Sequence, residues 1–143
     1  MAIYSVGWAS SAFTNNTPTA DLVAGNKPFL LYEVSGTQNN AAGVNMGFGR
    51  PANDGSVVQS SPTLAVPEQY GVANGLTNVA STWTTAPTKP AVFMRQAFSV
   101  ALGGCGVVWT FPRGCLCFPT KGVCLWGTIA PTNTFQMYAV LDE

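Results

Sequence analysis

Thr134-Phe-Gln-Met-Tyr-Ala-Val-Leu141 places apolar side chains at every second position. Successive side chains of a β-strand point to opposite faces of the sheet. We therefore expect one face to carry Phe135, Met137, Ala139 and Leu141, and the other to carry Thr134, Gln136, Tyr138 and Val140. One apolar face and one mixed face are typical of a half-buried strand, so we predict an antiparallel strand here.

Residues 41–50 repeat this alternation with Met46 and Phe48 on one face and glycines on the other. Glycine inside a strand marks a bulge or a close approach of another part of the backbone. Residues 91–100 alternate as well, and we expect Val92, Met94, Phe98 and Val100 to fill the core. No segment keeps an apolar period of 3.6 residues over three helical turns, so no helix is predicted.

Clusters rich in Gly, Asn, Asp and Pro separate the apolar runs and favour chain reversal. The predicted strands are 3–9, 20–24, 28–36, 41–50, 79–84, 91–100, 105–111, 123–130 and 134–141. Eight or nine short strands with frequent turns indicate an all-β protein, an antiparallel β-sandwich or jelly roll. The length of 143 residues fits a single domain over 1–143.

Residues 51–78 show no clean alternation and predict one long loop. A loop of this length inside a compact domain is usually functional, disordered or ordered by a neighbour. In a chain so poor in charge we favour an arm that packs on an adjacent subunit over a surface excursion.

Charge is scarce: 8% of the residues are charged, six of each sign, and histidine is absent. A surface without net charge has little self-repulsion, so association of the chain is expected. The six basic residues are scattered, which argues against nucleic-acid binding. No apolar stretch approaches the length of a membrane helix, and the first residues do not resemble a signal peptide, so a soluble, membrane-free protein is expected.

The four cysteines, Cys105, Cys115, Cys117 and Cys124, fall within twenty residues. Their spacing is poor for zinc, which usually takes pairs separated by two to four residues. Free thiols buried in the core are the favoured interpretation, with disulfides and a metal site as alternatives. A catalytic thiolate would need a base, and no histidine can supply one.

Carboxylates do not cluster along the sequence, although acid–base catalysis normally needs two that converge. Glu33, inside an apolar strand, is the one in an unusual setting, and Asp54 in Asn53-Asp54-Gly55 has the sequence of a turn former. Tryptophans and tyrosines could form a sugar-binding platform, but rings in strands more often fill a core or an interface. An enzyme is therefore the weakest of the functional hypotheses, and no catalytic residue or cofactor is predicted.

Four blocks of the sequence resemble small virion-associated proteins of tailed bacteriophages, including cyanophage-like ones. The blocks are Gly47-Phe-Gly-Arg-Pro-Ala52, Ser81-Thr-Trp-Thr-Thr-Ala-Pro-Thr-Lys-Pro-Ala-Val-Phe-Met-Arg95, Gly106-Val-Val-Trp-Thr-Phe-Pro-Arg-Gly114 and Val140-Leu-Asp-Glu143. They cover the C-terminal two thirds, whereas the N-terminal third matches mainly in its strand pattern. The chain departs from the family in residues 113–119, which carry Cys115 and Cys117 where the family is typically aliphatic.

The resemblance implies a β-sandwich that decorates or cements the phage head, often as a trimer where capsomers meet. The implied partners are the major capsid protein and further copies of the chain, and the implied location is the capsid surface, after assembly in the host cytoplasm. Within this hypothesis, Phe93, Arg95, Trp109 and Arg113 are the predicted interface residues. The alternatives are a receptor- or glycan-binding module of a tail fibre, or another head–tail component.

Overall fold

The structure is a computed structural model that describes residues 2–10, 18–38, 44–57, 63–99, 106–127 and 135–143. Over these ranges the chain forms thirteen β-strands and no α-helix. The same part of the chain accordingly offers no helix that could span a membrane. The predicted all-β class is confirmed.

The strands are β1 (Ile3–Ser10), β2 (Ala20–Val23), β3 (Phe29–Gln38), β4 (Val44–Gly49), β5 (Ser56–Val57), β6 (Thr63–Leu64), β7 (Val66–Pro67), β8 (Asn78–Ala80), β9 (Trp83–Thr85), β10 (Arg95–Ser99), β11 (Gly106–Cys117), β12 (Gly122–Gly127) and β13 (Phe135–Asp142). One sheet has the order β11-β3-β13-β1-β7, and a second has the order β10-β4-β12-β2-β8-β6. All pairings in both sheets are antiparallel. These two sheets make the predicted β-sandwich; jelly-roll connectivity stays a prediction.

All nine predicted strands have counterparts in the structure, with differences at their ends. The strand predicted at 105–111 continues to Cys117, and the one predicted at 79–84 is divided into β8 and β9. The predicted positions 41–43, 100, 105, 128–130 and 134 lie outside the described residues. The predicted long loop contains three two-residue strands, β5 to β7, because its backbone pairs with other parts of the chain.

The core lies between the two sheets and is filled by alternating side chains. Met46 and Phe48 of β4 are buried, as predicted, and so are Met137, Ala139 and Leu141 of β13. Across the core, the ring of Phe48 lies 6.2 Å from that of Trp109 and 5.8 Å from that of Phe111, between ring centroids. Such tilted aromatic pairs tie one sheet to the other.

Residues 91–100 form a strand only from Arg95 onward, and the predicted division of their faces is wrong. Val92 is 83% exposed and Met94 37% exposed, although the alternation assigned both to the core. Ala97 of β10 packs against the core instead. Within β10 the residues that pair with the core residues Phe48 and Met46 are Arg95 and Ala97, so the core face is the opposite of the predicted one. Residues 91–94 bend before the strand begins and do not share its alternation. Val100 and the side chain of Phe98, which were also assigned to the core, lie outside what the structure describes.

A covering layer, residues 50–57 and 83–94, lies on the outer face of the six-stranded sheet. Its two segments pair through β5 and β9, and the Thr88 N–H donates to the Asn53 carbonyl at 2.9 Å. The layer carries Phe93, whose ring lies 5.6 Å from that of Trp126, between centroids. Trp126 is fully buried, so this outer sheet face is interior rather than free surface.

Gly47 leaves room for Phe93 to pack on the outer face of the sheet. A Cβ atom at this position would lie 2.6 Å from the ring of Phe93, closer than Cβ atoms approach any neighbour. The approaching group at Gly47 is a side chain, whereas the predicted close approach of backbone is found at Gly49, where a Cβ atom would lie 3.2 Å from the Met94 nitrogen.

Candidate functional site

The predicted interface residues fall into three environments. Trp109 faces the core and is 7% exposed, so it fills the interior of the chain and offers little surface to a neighbouring subunit. Phe93 is half-buried, because one side of its ring packs on Trp126 while the Lys89 ammonium lies 5.6 Å from its centroid. Phe93 therefore serves mainly to hold the covering layer on the sheet.

Arg95 and Arg113 are brought together at one edge of the sandwich, because they belong to β10 and β11, the edge strands of the two sheets. They line a shallow concavity of about 350 Å³ with Phe111, Pro112 and Gly114. The Arg95 guanidinium lies 4.9 Å from the centroid of Phe111, a cation–π contact between the two sheets. Both arginines are exposed. They are the charged residues among the four predicted interface residues, so they can offer positive charge to a partner.

A β-bulge in β11 places Arg113 in this concavity. Between Thr110 and Cys115 the register of β11 against β3 shifts, and four residues of β11 stand opposite one residue of β3. Gly114, at φ 72°, supplies the left-handed backbone that the bulge needs.

Three of the four cysteines are described, and all three are buried and free: Cys115, Cys117 and Cys124. Burial raises the pKa of Cys117 to about 12, and the charge of Asp21 adds to the effect. Burial also raises the pKa of Cys124, again with Asp21 contributing. The thiols of Cys117 and Cys124 therefore stay protonated at neutral pH, in agreement with the predicted core role. Cys105 lies outside the described residues.

Sequence reasoning missed a cavity of about 370 Å³ at the edge of the covering layer, lined by Asp21 of β2 and by Asp54. Asp21 is 2% exposed and lies directly opposite Cys124 of β12, whose thiol donates a hydrogen bond to its carboxylate. Burial raises the pKa of Asp21 to about 7, against the lowering effect of the Cys124 hydrogen bond and with a smaller rise from the charge of Asp54.

Gly122 makes room for the Asp21 carboxylate. A Cβ atom on Gly122 would lie 2.0 Å from Asp21 Oδ1, so a larger residue would displace the carboxylate. Asp21 Oδ1 is itself buried and has no hydrogen-bond partner. The nearest sequence signal is a single aspartate in the apolar run Thr19-Ala-Asp-Leu-Val-Ala24, and a lone residue does not identify a site.

Asp54 contributes the second carboxylate from the covering layer. Its Oδ2 lies 2.6 Å from Lys121 Nζ, and this hydrogen bond raises the pKa of Lys121. Thr120 also lines the cavity with a left-handed backbone (φ 63°), which is uncommon for a β-branched residue. Its N–H is shared between the carbonyls of Ala24 and Gly25, at 3.2 and 3.1 Å. Asp54 lies in an irregular stretch between the Asn53–Thr88 bridge and β5, so the predicted turn is not seen here, and the residue lines this cavity.

Glu33 is placed at an irregular point of the five-stranded sheet. In the pairing of β13 with β3, Val140 lies opposite Glu33 and the next residue, Leu141, lies opposite Leu31, so Tyr32 of β3 has no partner on β13. The Tyr138 hydroxyl donates to Glu33 Oε1, and this hydrogen bond raises the pKa of Tyr138. Glu33 therefore accepts a hydrogen bond from an exposed tyrosine on the sheet surface. No group of three or more His, Cys, Asp or Glu side chains suited to a metal converges within the described ranges.

The edge arm, residues 63–77, has an unusual surface. Its strands β6 and β7 pair with β8 and β1, so the arm crosses from one sheet to the other along an edge of the sandwich. Ala65 is fully buried and anchors the arm. Large apolar side chains nevertheless point outward: Tyr70 is fully exposed and Val66 is 56% exposed. The other exposed apolar side chains of the arm are Leu64, Val72 and Leu76.

Hydrogen bonds hold the arm against the sandwich. The Glu143 carboxylate accepts from the N–H groups of Leu76 at 2.8 Å and Thr77 at 3.0 Å. The Glu68 N–H donates to the Ile3 carbonyl at 2.9 Å. These hydrogen bonds hold the backbone of the arm to its own subunit at residues 68, 76 and 77, while five of its large apolar side chains stay exposed.

No protein-family model matches the chain, and no curated protein is significantly similar to it.

Proposed function

We propose that the protein is a non-enzymatic structural component of a phage virion that decorates and stabilises the capsid as a homotrimer at capsomer junctions. The observation that carries this proposal is the apolar surface of the edge arm. The sequence resemblance to virion-associated proteins supplies the biological setting, and the major capsid protein is the proposed second partner.

The edge arm has the chemistry of an association surface. Of the eleven exposed large hydrophobic residues in the described ranges, five belong to this short segment. Contiguous exposed apolar side chains mark interaction sites, and exposed tyrosine is enriched among residues that dominate binding energy. Only one residue of the arm, Glu68, is charged, so burying the arm against a second copy would desolvate little charge.

Arg95 and Arg113 fit a different kind of contact. Their concavity offers two exposed guanidinium groups, which form bidentate pairs with carboxylates. We assign the concavity of Arg95 and Arg113 to contacts with an acidic surface of the shell, and the edge arm to contacts between copies. Repetition over the capsid would then raise avidity without a strong single contact.

Association through the arm can be tested by removing its most exposed apolar side chains. Val66→Ser combined with Tyr70→Ser should weaken self-association by about tenfold or more, because truncation of a central aromatic contact typically costs that much. Size-exclusion chromatography with light scattering, over a range of protein concentrations, measures the effect. Both side chains are largely exposed, so the variant should keep its unfolding temperature.

Val92→Ser is the matched control, because Val92 is 83% exposed but lies outside the arm. It should associate like the wild type and co-sediment with shells of the major capsid protein. The proposal would be refuted if the wild-type protein is monomeric at all concentrations and does not co-sediment with capsid shells. Binding of a glycan by such a monomer would favour the tail-fibre alternative.

A further inference from the structure

The cavity beside Asp21 is assembled from separate parts of the fold. Asp21 reaches it from β2, Asp54 from the covering layer, and Asn26 and Thr120 from loops at the same end of the sheet. Its volume of about 370 Å³ holds an ion together with several waters, since a water occupies roughly 30 Å³ of liquid. Oxygen atoms are thus available from four side chains around one cavity.

Asp21 provides the observation that points to a ligand. Its side chain is almost completely buried, and Oδ1 has no hydrogen-bond partner although the residue lines the cavity. A buried polar atom without a partner is costly and calls for an explanation. We propose that this cavity binds a divalent cation, calcium in preference to magnesium, between the carboxylates of Asp21 and Asp54.

Calcium suits this set of donors. It takes six to eight oxygen ligands from carboxylates, amides, carbonyls and water, in flexible geometry, whereas magnesium demands a near-ideal octahedron. The donors in this cavity come from a strand and from irregular loops. Such an arrangement does not impose the octahedral coordination geometry that magnesium needs. The Asn26 amide and the Thr120 hydroxyl are hard oxygen donors of the appropriate kind, and water completes the shell.

Lys121 acts as a competitor at this site. Its ammonium lies 2.6 Å from Asp54 Oδ2, so a cation bound to Asp54 must share or displace it. Lys121→Gln removes this positive charge while leaving both carboxylates in place. We expect this variant to bind calcium about two- to fivefold more tightly than the wild type, in line with the modest strength of exposed ion pairs.

The inference does not rest on the proposed virion role and is tested on the isolated full chain. Protein freed of metals by EDTA is titrated with CaCl₂ and, separately, with MgCl₂ at pH 8 by isothermal calorimetry. We expect one calcium site per chain and a weaker response to magnesium. Calcium about a hundredfold above its Kd should raise Tm by roughly 10 °C, because it binds only the folded state.

Asp21→Asn and Asp54→Asn should each abolish the calorimetric signal and the rise in Tm. Both variants should fold, because Asp54 is partly exposed and the amide of Asp21→Asn is nearly isosteric with the buried carboxyl. Glu68→Gln removes a carboxylate from the edge arm instead and should leave calcium binding unchanged. The proposal is overturned if the wild type shows no calcium binding, if Asp54→Asn keeps it, or if magnesium binds equally well.

Discussion

Between pH 4 and pH 8, in the presence of EDTA, the Asp21 carboxyl should lower the free energy of unfolding by about 4 kcal/mol. Its pKa is 3.8 in an unfolded chain and about 7 in the fold, where burial disfavours the charged form. Below pH 3.8 the group is protonated in both states and has no effect. As the pH rises towards 7 the unfolded chain releases its proton first, so ionisation favours unfolding. Well above pH 7 the group is ionised in both states, and the loss in the free energy of unfolding has reached its full value.

Asp21→Asn isolates this effect, because the amide is nearly isosteric and cannot ionise. The variant should match the wild type near pH 4 and exceed its stability by about 4 kcal/mol at pH 8. Urea unfolding followed by tryptophan fluorescence at each pH measures the difference. Glu68→Gln, in the edge arm, should give a curve parallel to that of the wild type. A constant difference between Asp21→Asn and the wild type across this range would contradict the assigned burial effect.

Trp126→Ala should destabilise the protein by about 3–5 kcal/mol, the usual cost of deleting a large buried aromatic side chain. Trp126 is fully buried on the outer face of the six-stranded sheet, beneath Phe93. The substitution would leave a cavity between the sheet and the covering layer. Chemical unfolding monitored by circular dichroism measures the loss, and Phe118→Ala is the control, because Phe118 is 62% exposed and should cost under about 0.5 kcal/mol.

A double-mutant cycle of Trp126→Ala and Phe93→Ala tests the contact itself. We expect an interaction energy of about 0.5–1.5 kcal/mol, as for other aromatic pairs. A small loss for Trp126→Ala, close to that of Phe118→Ala, would mean that the covering layer does not bury this face in solution. In that case the outer face would be a second apolar surface, and the assignment of association to the edge arm would lose its basis.

The strands were predictable because alternation is a local property of the sequence. Met46 and Phe48 point to the core as their period of two indicates, and so do Met137 and Ala139. The same rule failed at Val92 and Met94, because these residues precede the start of β10 and belong to a bend. A period of two identifies a strand, but the position of its first residue depends on which neighbour supplies hydrogen bonds.

The candidate sites were less predictable than the strands. Arg95 and Arg113 were named from the sequence and do share a concavity, yet Trp109, named with them, faces the core. Asp21 and Asp54 are 33 positions apart in the sequence, and only the folding of the covering layer over β2 brings them to one cavity.

By itself, the sequence determined that this chain is an all-β protein of low charge, since strand periodicity and composition are local and additive properties. Only the tertiary structure decided which sheet face is covered, where the carboxylates meet and which apolar side chains stay exposed. The physical reason is that burial depends on contacts between segments distant along the chain. Phe93 on Trp126 and the edge arm across both sheets are contacts of this kind.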